Sequence, residues 1–298
     1  MDVIKITGLT KSYGKTKALK GINFTVKQGD VHGFIGMNGA GKSTTIRILL
    51  GLLRKDKGGG EVRLFGGDPF KDRVELHKRI AYVPSDVNLW GNLTGGEVID
   101  LLSRMSGTPN QKRRAELIER FQFDPSKKCR SYSKGNRQKV ALISALVSDV
   151  DLYIFDEPTT GLDPLMESVF QDCIRELAEK GKTVLLSSHI LEEVEKLCNQ
   201  VTIIKEGSIV ESGSLRELSQ FSRLIVTAEC AQPIDGTLLQ KVYGLTVDGN
   251  KASFSVDPTE LNNALEVLTQ FDTISLHCAP PELEDVFMHY YSKGGGDK

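Results

Sequence analysis

The stretch GMNGAGKS, residues 36–43, decides the fold of this 298-residue chain. Its spacing is G-x-x-x-x-G-K-S; it follows the apolar run VHGFI, residues 31–35, and precedes residues 44–53, where apolar side chains recur every three or four positions. A strand, a glycine-rich loop and a helix in this order are the context of a phosphate-binding loop. Backbone N–H groups of such a loop surround phosphate, Lys42 neutralises the β- and γ-oxygens, and the Ser43 hydroxyl binds Mg²⁺.

Two adjacent carboxylates, Asp156 and Glu157, end the apolar run LYIFDEP. Buried strands do not ordinarily end in paired acids, although a solvated strand end is the alternative when such a pair stands alone. Asp156 is suited to hold Mg²⁺ through water, and Glu157, one residue further, is suited to polarise an attacking water as a general base. Together with the phosphate loop, the pair indicates hydrolysis of a nucleoside triphosphate.

The composition allows a folded chain and limits its partners. Hydrophobic residues make up 39% of the chain, which is enough for a core. The 38 Lys and Arg against 39 Asp and Glu give a net charge of −1, so the chain lacks the overall basicity that would indicate a nucleic-acid partner. The five cysteines are scattered and lack CxxC spacing, which predicts reduced thiols in a cytosolic protein. No secretory pattern opens the chain and no apolar run reaches the roughly 20 residues of a membrane helix, so we expect another chain to supply any span.

Hydrophobic periodicity divides the chain into segments. Helical periodicity dominates residues 96–149, which predicts a helical insertion at about residues 86–149. The runs LYIFDEP, TVLLSSH and QVTIIKEGSIVESG then restore strands, with a helical pattern between the first two. This alternation predicts an α/β fold with parallel strands and a helical insertion. Beyond it, a hairpin with its turn at residues 248–250, a helical run and a last strand predict a small α+β module at residues 218–292, followed by a flexible tail at residues 293–298.

A second anion-binding element, YSKGN at residues 132–136, stands far from the phosphate loop. Ser133 offers a hydroxyl, Gly135 permits close approach of the backbone, and the helical pattern that follows would point its N-terminus at a bound anion. Taken alone, the segment is more simply the serine N-cap of a surface helix. Its place at the end of a helical insertion, between the phosphate loop and FDEP, resembles the nucleotide-binding subunits of ATP-binding cassette (ABC) transporters, over residues 1–217.

The resemblance implies a P-loop NTPase fold of the ABC type, with a parallel sheet core, an antiparallel β subdomain and the helical insertion. Tyr13 resembles the aromatic residue that stacks on adenine, although without the family it is more simply an aromatic residue of a strand. The implied Walker A contacts to ATP are Gly36, Asn38, Gly39, Ala40, Gly41, Lys42, Ser43 and Thr44.

The resemblance also implies that a second subunit completes each site. Ser133 and Gly135 are similar to the ABC signature, which covers the γ-phosphate of ATP held by the other subunit, and Asp163 in GLDP is similar to the D-loop that crosses between the sites. His189 resembles the switch histidine that contacts the γ-phosphate and water. Without the family, Asp163 is most simply a helix N-cap and His189 a capped strand end.

Two departures from the family pattern are visible. Where the family commonly has Gln after the strand AYVP, this chain has Ser85 and Asp86. Ser85, Asp86 or water would then complete the Mg²⁺ shell, and we expect Ser85 or water. In the signature, Lys134 stands where glycine is usual, and it either points toward the neighbour's γ-phosphate or remains a solvated lysine. The resulting prediction is catalysis by Lys42, Glu157 and His189, with Mg²⁺ held by Ser43, Ser85 and Asp156.

Three further features bear on partners. Residues 111–139 hold ten Lys and Arg against three acids, which predicts either contact with anionic lipid or a permease loop, or a solvated helical face. Trp90, the single tryptophan, is suited either to a docking surface for a partner's helix or to burial in the domain. The closing run PPELEDVFMHYY is similar to the C-terminal extension of ATPases in the bacterial drug and antibiotic exporter branch of the family.

These features predict an ATP-hydrolysing subunit of a bacterial export ABC transporter. Two copies, or one copy and a paralogue, would enclose two MgATP and drive a separate integral membrane permease from the cytoplasmic face of the membrane. The main alternative, a soluble ABC ATPase that acts on DNA or ribosomes, is disfavoured because no sustained heptad run occurs between Thr45 and Ser131 and one cassette is present. An ATP-gated regulator without turnover is disfavoured by Glu157 and His189.

Overall fold

The computed structural model describes residues 1–105, 110–215, 217, 223–279, 283–284 and 287. It divides into two compact units, Met1–Gly213 and Ser214–Lys298. The predicted flexible tail at residues 293–298 lies outside the described residues, as does most of the closing run at residues 280–291. Within the part that is described, no helix combines the length and the apolar character needed to cross a membrane.

The strands up to residue 214 form two sheets. One sheet is antiparallel with the order β2-β1-β4; the other has the order β5-β6-β7-β3-β8-β9, and its first five strands pair in parallel. This arrangement confirms the predicted α/β fold with a parallel core and an antiparallel subdomain. The strands are β1 (Asp2–Tyr13), β2 (Thr16–Lys27), β3 (Val31–Ile35), β4 (Glu61–Leu64), β5 (Ile80–Val83), β6 (Leu152–Asp156), β7 (Thr183–Ser188), β8 (Gln200–Lys205) and β9 (Ser208–Ser214).

Helices connect these strands, and those within residues 86–149 are the ones that the helical periodicity predicts. They are α1 (Lys42–Leu49), α2 (Arg73–His77), α3 (Gly95–Met105), α4 (Gln111–Arg120), α5 (Lys134–Val147), α6 (Pro164–Glu179) and α7 (Leu191–Leu197), with a 3-10 helix at Cys129–Ser131.

The central strands of the parallel sheet end at a common edge. β3, β6 and β7 are buried along their whole length, as near-continuous apolar runs predict for strands covered on both faces. Leu186 in β7 pairs with Gly33 in β3 on one side and with Phe155 in β6 on the other, so the three strands run in register. The segments that follow these strands, which carry the phosphate loop, Glu157 and His189, therefore start side by side.

A cluster of buried side chains joins the antiparallel sheet to α1. Ile4 and Leu9 of β1 and Phe24 of β2 pack with Ile46 and Leu49 of α1. Full burial of such a side chain stabilises a fold by roughly 1.5–3 kcal/mol. This packing holds in place the helix that begins at the phosphate loop.

Part of the basic excess at residues 111–139 is paired inside the first unit. Arg113 and Arg120 on α4 both bind the carboxylate of Glu176 on α6, at 2.6 and 2.5 Å, and Arg114 binds Asp100 on α3 at 2.6 Å. Burial opposes ionisation of Glu176, but the hydrogen bonds from the two guanidinium groups lower its pKa overall. These three arginines tie helices together, so neither a lipid-facing patch nor a solvated face describes them.

The second unit has its own sheet and core. The sheet order is β11-β12-β10-β13 with antiparallel pairs, and β11 and β12 form the predicted hairpin, with Gly249 at φ +60° in its turn. Val226, Phe254 and Leu268 are buried in its core, which confirms the predicted α+β character. The elements are β10 (Leu224–Cys230), a 3-10 helix (Gly236–Leu238), β11 (Val242–Asp248), β12 (Lys251–Val256), α8 (Leu261–Thr269) and β13 (Thr273–Ala279).

Candidate functional site

The turn between β3 and α1 holds the predicted phosphate loop in a compact form. A side chain at Gly36 would place its Cβ 2.3 Å from the carbonyl oxygen of Ile204, so the loop can follow this path only with glycine there. Lys42, the first residue of α1, is 4% exposed, and its Nζ donates to the Gly36 carbonyl at 2.6 Å. The helix N-terminus and the lysine together provide positive potential at this turn. The loop's other predicted contacts follow in sequence: Asn38 and Gly39 are exposed, Ala40 and Gly41 buried, and Ser43 and Thr44 half-buried.

A buried carboxylate with one unused oxygen lies next to Ser43. Asp156 at the end of β6 is 1% exposed, and its Oδ1 accepts from Ser43 Oγ at 3.2 Å and from Ser187 Oγ at 2.5 Å. Its Oδ2 has no hydrogen-bond partner among the described residues, which is unfavourable for a buried anion unless a cation binds there.

These oxygens fit Mg²⁺. In proteins the ion takes one or two carboxylates together with substrate phosphates and waters rather than a cage of side chains. No group of three or more His, Cys, Asp and Glu suited to a metal occurs in the part of the chain that the structure describes. Asp156 and Ser43 are therefore the residues that could hold the ion here, and it would supply charge neutralisation at the phosphates.

Glu157 connects the phosphate loop to the segment after β7. Its Oε1 lies 3.4 Å from Lys42 Nζ and its Oε2 lies 3.5 Å from Nδ1 of His189. Its backbone has φ +51°, a left-handed conformation that is uncommon outside glycine, and its N–H donates to the Ser187 carbonyl at 3.0 Å. Such strained positions concentrate at functional sites. A carboxylate held between a lysine and a histidine is well placed to accept a proton from water.

The YSKGN element and the GLDP loop pack against each other within one chain. Ser133 is the N-cap of α5, and its Oγ accepts from Asn136 N at 3.3 Å. A Cβ at Gly135 would lie 2.5 Å from the Gly161 carbonyl oxygen, so the two turns touch through their backbones. Asp163 caps α6 by accepting from a backbone N–H at 3.0 Å. The helix-capping interpretations of Ser133 and Asp163 thus describe this chain, and their roles toward a second subunit stay predictions.

Two other predicted site residues lie away from this cluster of contacts. Tyr13 ends β1 with 49% of its side chain exposed, and Lys11 Nζ lies 5.3 Å from its ring centre. Ser85 follows β5, a neighbour of β6, but no hydrogen bond joins it to Ser43 or Asp156 in the described structure. Adenine stacking by Tyr13 and metal binding by Ser85 stay predictions.

Comparison with known proteins agrees with this geometry. The family model described as ABC transporter matches residues 19–160. The bacitracin transport ATP-binding protein BcrA of Bacillus licheniformis is 33% identical, over 99% of this chain and 98% of that protein. The chain belongs to the ABC transporter ATP-binding family.

Other members extend the comparison. The daunorubicin/doxorubicin resistance ATP-binding protein DrrA of Streptomyces peucetius is 33% identical over 96% of this chain and 91% of that protein. A solved dimeric ABC cassette in a post-hydrolysis state, bound to ADP and phosphate, has a TM-score of 0.64 at 27% identity and covers 72% of this chain and 99% of its own. The ABC identity predicted from the motifs is confirmed, and as a family member the chain is an ATP hydrolase.

An apolar groove opens on the ABC cassette away from the phosphate loop. Its volume is about 580 Å³, and it is lined by residues of α2, β5, α3 and α5 together with Trp90. Trp90 is 55% exposed, and Val74 and Met105, which also line the groove, are more exposed than Trp90. Burial of Trp90 in the domain is therefore wrong, and the docking alternative stays a prediction.

Sequence reasoning missed several side chains of this ABC site. Ser187 binds Asp156, Gln138 Nε2 donates to the Pro158 carbonyl at 2.8 Å, and Glu193 is buried beneath the His189 turn. The polar pair that ends the apolar run TVLLSS was a usable signal for Ser187, by the argument applied to Asp156. Gln138 and Glu193 carry no such signal, because each lies on a helix among other polar residues.

Proposed function

We propose that this chain is the ATP-hydrolysing subunit of an export ABC transporter, which acts with a separate integral membrane permease as a peripheral protein at the cytoplasmic face of the membrane. The names of its relatives, bacitracin transport and daunorubicin/doxorubicin resistance, support export of a compound of the antibiotic kind. Two copies, or one copy and a paralogue, enclose two MgATP; the solved relative bound to ADP and phosphate is a dimer.

The single observation that carries the proposal is the contact of Glu157 with both Lys42 and His189 beside the unpaired oxygen of Asp156. In the proposed reaction Lys42 binds the β- and γ-phosphate oxygens, and Glu157 accepts a proton from the attacking water. His189 donates to the γ-phosphate and orients that water. Asp156 and Ser43, with Ser85 or water, hold Mg²⁺.

The proposed site is shared between two subunits. Ser133 and Gly135 of one copy cover the γ-phosphate of ATP bound to the Walker A loop of the other, while Asp163 lies in the loop that passes between the two sites. Tyr13 stacks on the adenine. Since two composite sites form only when ATP is bound, binding closes the dimer, and release of the products after hydrolysis reopens it.

Replacement of Glu157 by Gln tests the catalytic assignment. The amide keeps the shape of the side chain but cannot accept the proton, so we expect ATP hydrolysis to fall by about 10²- to 10⁴-fold while the Kd for ATP changes little. Steady-state phosphate release and equilibrium nucleotide binding measure the two effects. Glu179→Gln at the exposed end of α6 is the matched control, and unchanged hydrolysis in the Glu157 variant would contradict the assignment.

Replacement of Ser133 by Arg tests the shared site. The larger side chain should block ATP-driven dimerisation, measured by light scattering, while ATP affinity of the monomer stays within about twofold, because Ser133 does not contact its own subunit's nucleotide. Ser133→Ala loses only the N-cap hydrogen bond of α5, so comparison of the two variants distinguishes an effect of a destabilised helix from an effect of the bulky arginine side chain. Equal loss of monomer affinity and dimerisation in the arginine variant would show that Ser133 acts within its own chain.

The groove beside Trp90 is the proposed permease contact. It offers exposed aromatic and thioether side chains, which suit an apolar helix of a partner. Trp90→Asp should move the chain from the membrane to the soluble fraction when it is co-expressed with its permease, without loss of intrinsic ATP binding. Ile274→Asp, the same kind of change in the second unit, is the control, and equal membrane association of both variants would exclude this groove.

A further inference from the structure

Glu193, the third residue of α7, is a buried acid to which the proposed reaction gives no role. It is 5% exposed, and its Oε2 accepts hydrogen bonds from Ser188 Oγ at 2.9 Å and Thr159 Oγ1 at 3.4 Å. Its Oε1 has no hydrogen-bond partner among the described residues. A buried carboxylate supported by two hydroxyls is unfavourable for stability, so its presence requires another explanation.

The two hydroxyls belong to the two segments that carry the proposed chemistry. Ser188 ends β7 directly before His189, and its Oγ also accepts from the backbone N–H of Ile190 at 3.0 Å. The hydroxyl has a single hydrogen, and its acceptor Glu193 Oε2 at 2.9 Å lies closer than the Ile190 carbonyl at 3.4 Å. Donation to Glu193 leaves the lone pairs of the hydroxyl free for the Ile190 N–H, which closes a turn around the histidine. Thr159 lies two residues after Glu157, in the loop that leads to Asp163.

The position of Glu193 is set by tight packing of its own helix. The next residue, Val194, is fully buried, and its Cγ1 would lie 2.5 Å from a Cβ added at Gly33 in β3. α7 therefore sits directly on the backbone of the strand that leads into the phosphate loop. A shift of the α7 backbone at this point would therefore require movement of that strand.

The charged surroundings of Glu193 favour its neutral form. Glu167 on α6 adds repulsion, and the Cys198 thiol at the end of α7 has a raised pKa, chiefly because it is buried and further because Glu193 is near. No Lys or Arg forms an ion pair with Glu193 in the part of the chain that the structure describes. Burial, the largest influence, raises the pKa of Glu193 to about 7, so the group changes charge near neutral pH.

We propose that Glu193 is a positioning residue for ATP hydrolysis, whose ionised carboxylate orients the hydroxyls of Ser188 and Thr159 and so couples the His189 turn to the loop that follows Glu157. This inference rests on the roles proposed above for Glu157 and His189. Oε1 has no partner among the described residues, so protonation there leaves Oε2 as an uncharged acceptor of both hydroxyls. Hydrogen bonds to an ionised acceptor are roughly twice as strong as those to a neutral one, so the neutral form holds the two hydroxyls less firmly than the ionised form does.

The test is the pH dependence of ATP hydrolysis by the full chain, with kcat and KM measured from about pH 6 to about pH 8.5. We expect Glu193→Gln to lower kcat about tenfold at the upper end, the loss expected for a hydrogen bond to a charged group, with KM for ATP changed less than about twofold. The ratio of wild-type to variant kcat should fall toward one as the pH drops below about 7.

The matched control is Glu192→Gln, the adjacent exposed acid, which pairs with Lys196 on the helix surface. The ratio of wild-type kcat to the kcat of this control should stay near one at every pH. The proposal would be overturned if the ratio of wild-type kcat to Glu193→Gln kcat does not depend on pH. It would also be overturned if the substitution changes KM for ATP and leaves kcat unchanged. Melting temperatures of all variants separate a folding defect from the proposed role.

Two further variants test the link itself. Thr159→Val and Ser188→Ala each remove one hydroxyl and should each lower kcat, but neither should add to the loss caused by Glu193→Gln, because all three changes break one unit. Fully additive losses would refute the coupling. If Glu157→Gln retains hydrolysis, the proposed function fails; if that variant is inactive while Glu193→Gln follows the wild-type pH profile, only the role of Glu193 fails.

Discussion

Replacement of Glu193 by Gln should change how the stability of the protein depends on pH. The pKa of this carboxyl is raised from 4.5 to about 7 in the folded chain, mainly by burial. Between these values the folded state binds more protons than the unfolded state, so the wild-type protein loses stability as the pH rises through this window. A glutamine has no proton to lose, and the variant lacks this decline.

The size of the effect follows from the two pKa values. From about pH 5 to about pH 8, linkage with a pKa of 4.5 unfolded and about 7 folded lowers the wild-type free energy of unfolding by roughly 2–3 kcal/mol. The difference between variant and wild type should therefore increase by this amount over the same range. The altered hydrogen bonding of the amide adds an offset that does not depend on pH, so it disappears from the comparison.

Urea unfolding followed by circular dichroism at about pH 5, 6, 7 and 8 measures the effect. The control is Glu192→Gln. Glu192 is exposed, and its hydrogen bond with Lys196 lowers the pKa of its carboxyl. The difference in the free energy of unfolding between this variant and the wild type should therefore not rise from about pH 5 to about pH 8. If the stabilities of the Glu193 variant and the wild type run parallel from pH 5 to pH 8, the carboxyl does not change charge in this window, and the reasoning about its burial is wrong.

Three other substitutions have outcomes that the packing determines. Gly135→Ala forces a methyl group against the Gly161 carbonyl at 2.5 Å and should lower the free energy of unfolding by about 1–3 kcal/mol, measured by urea titration. An unchanged free energy of unfolding would show that the two turns separate to accept the methyl group. Phe170→Ala empties a fully buried site in α6 and should cost about 3–5 kcal/mol in the same assay; a value under about 1 kcal/mol would mean that the core collapses to fill it. Asp163→Ala removes the cap on Met166 N and should lower stability by about 1 kcal/mol, whereas Asp163→Asn, which can still accept, should not.

The convergence of the phosphate loop, the carboxylate pair and His189 could be predicted from the sequence, although they are far apart along the chain. Each follows a continuous apolar run, and such runs are typical of parallel strands covered on both faces. Since neighbouring parallel strands end at the same edge, segments that follow them must meet. The strand ends at Ile35, Asp156 and Ser188 behave in this way.

The contacts around those motifs could not be predicted in the same way. Periodicity shows that a helix has a buried face, but not which residue of another helix that face meets. Arg113 and Arg120 had the pattern of a basic surface, yet they bind one carboxylate, Glu176, from a helix more than fifty residues later in the chain. The sequence pattern around Trp90 was compatible with exposure and with burial, and only the tertiary arrangement of α2, β5, α3 and α5 places it at a groove.

By itself the sequence determined the α/β order of the elements, the Walker A loop and the acids that follow a buried strand, because these depend on residue types at fixed local spacing. The tertiary structure alone decided that Glu193 lies beneath the His189 turn, with a carboxyl that ionises near neutral pH. The physical reason is that ionisation depends on desolvation and on hydroxyls about 3 Å away, which here come from two other segments of the chain. No local pattern within α7 contains that information.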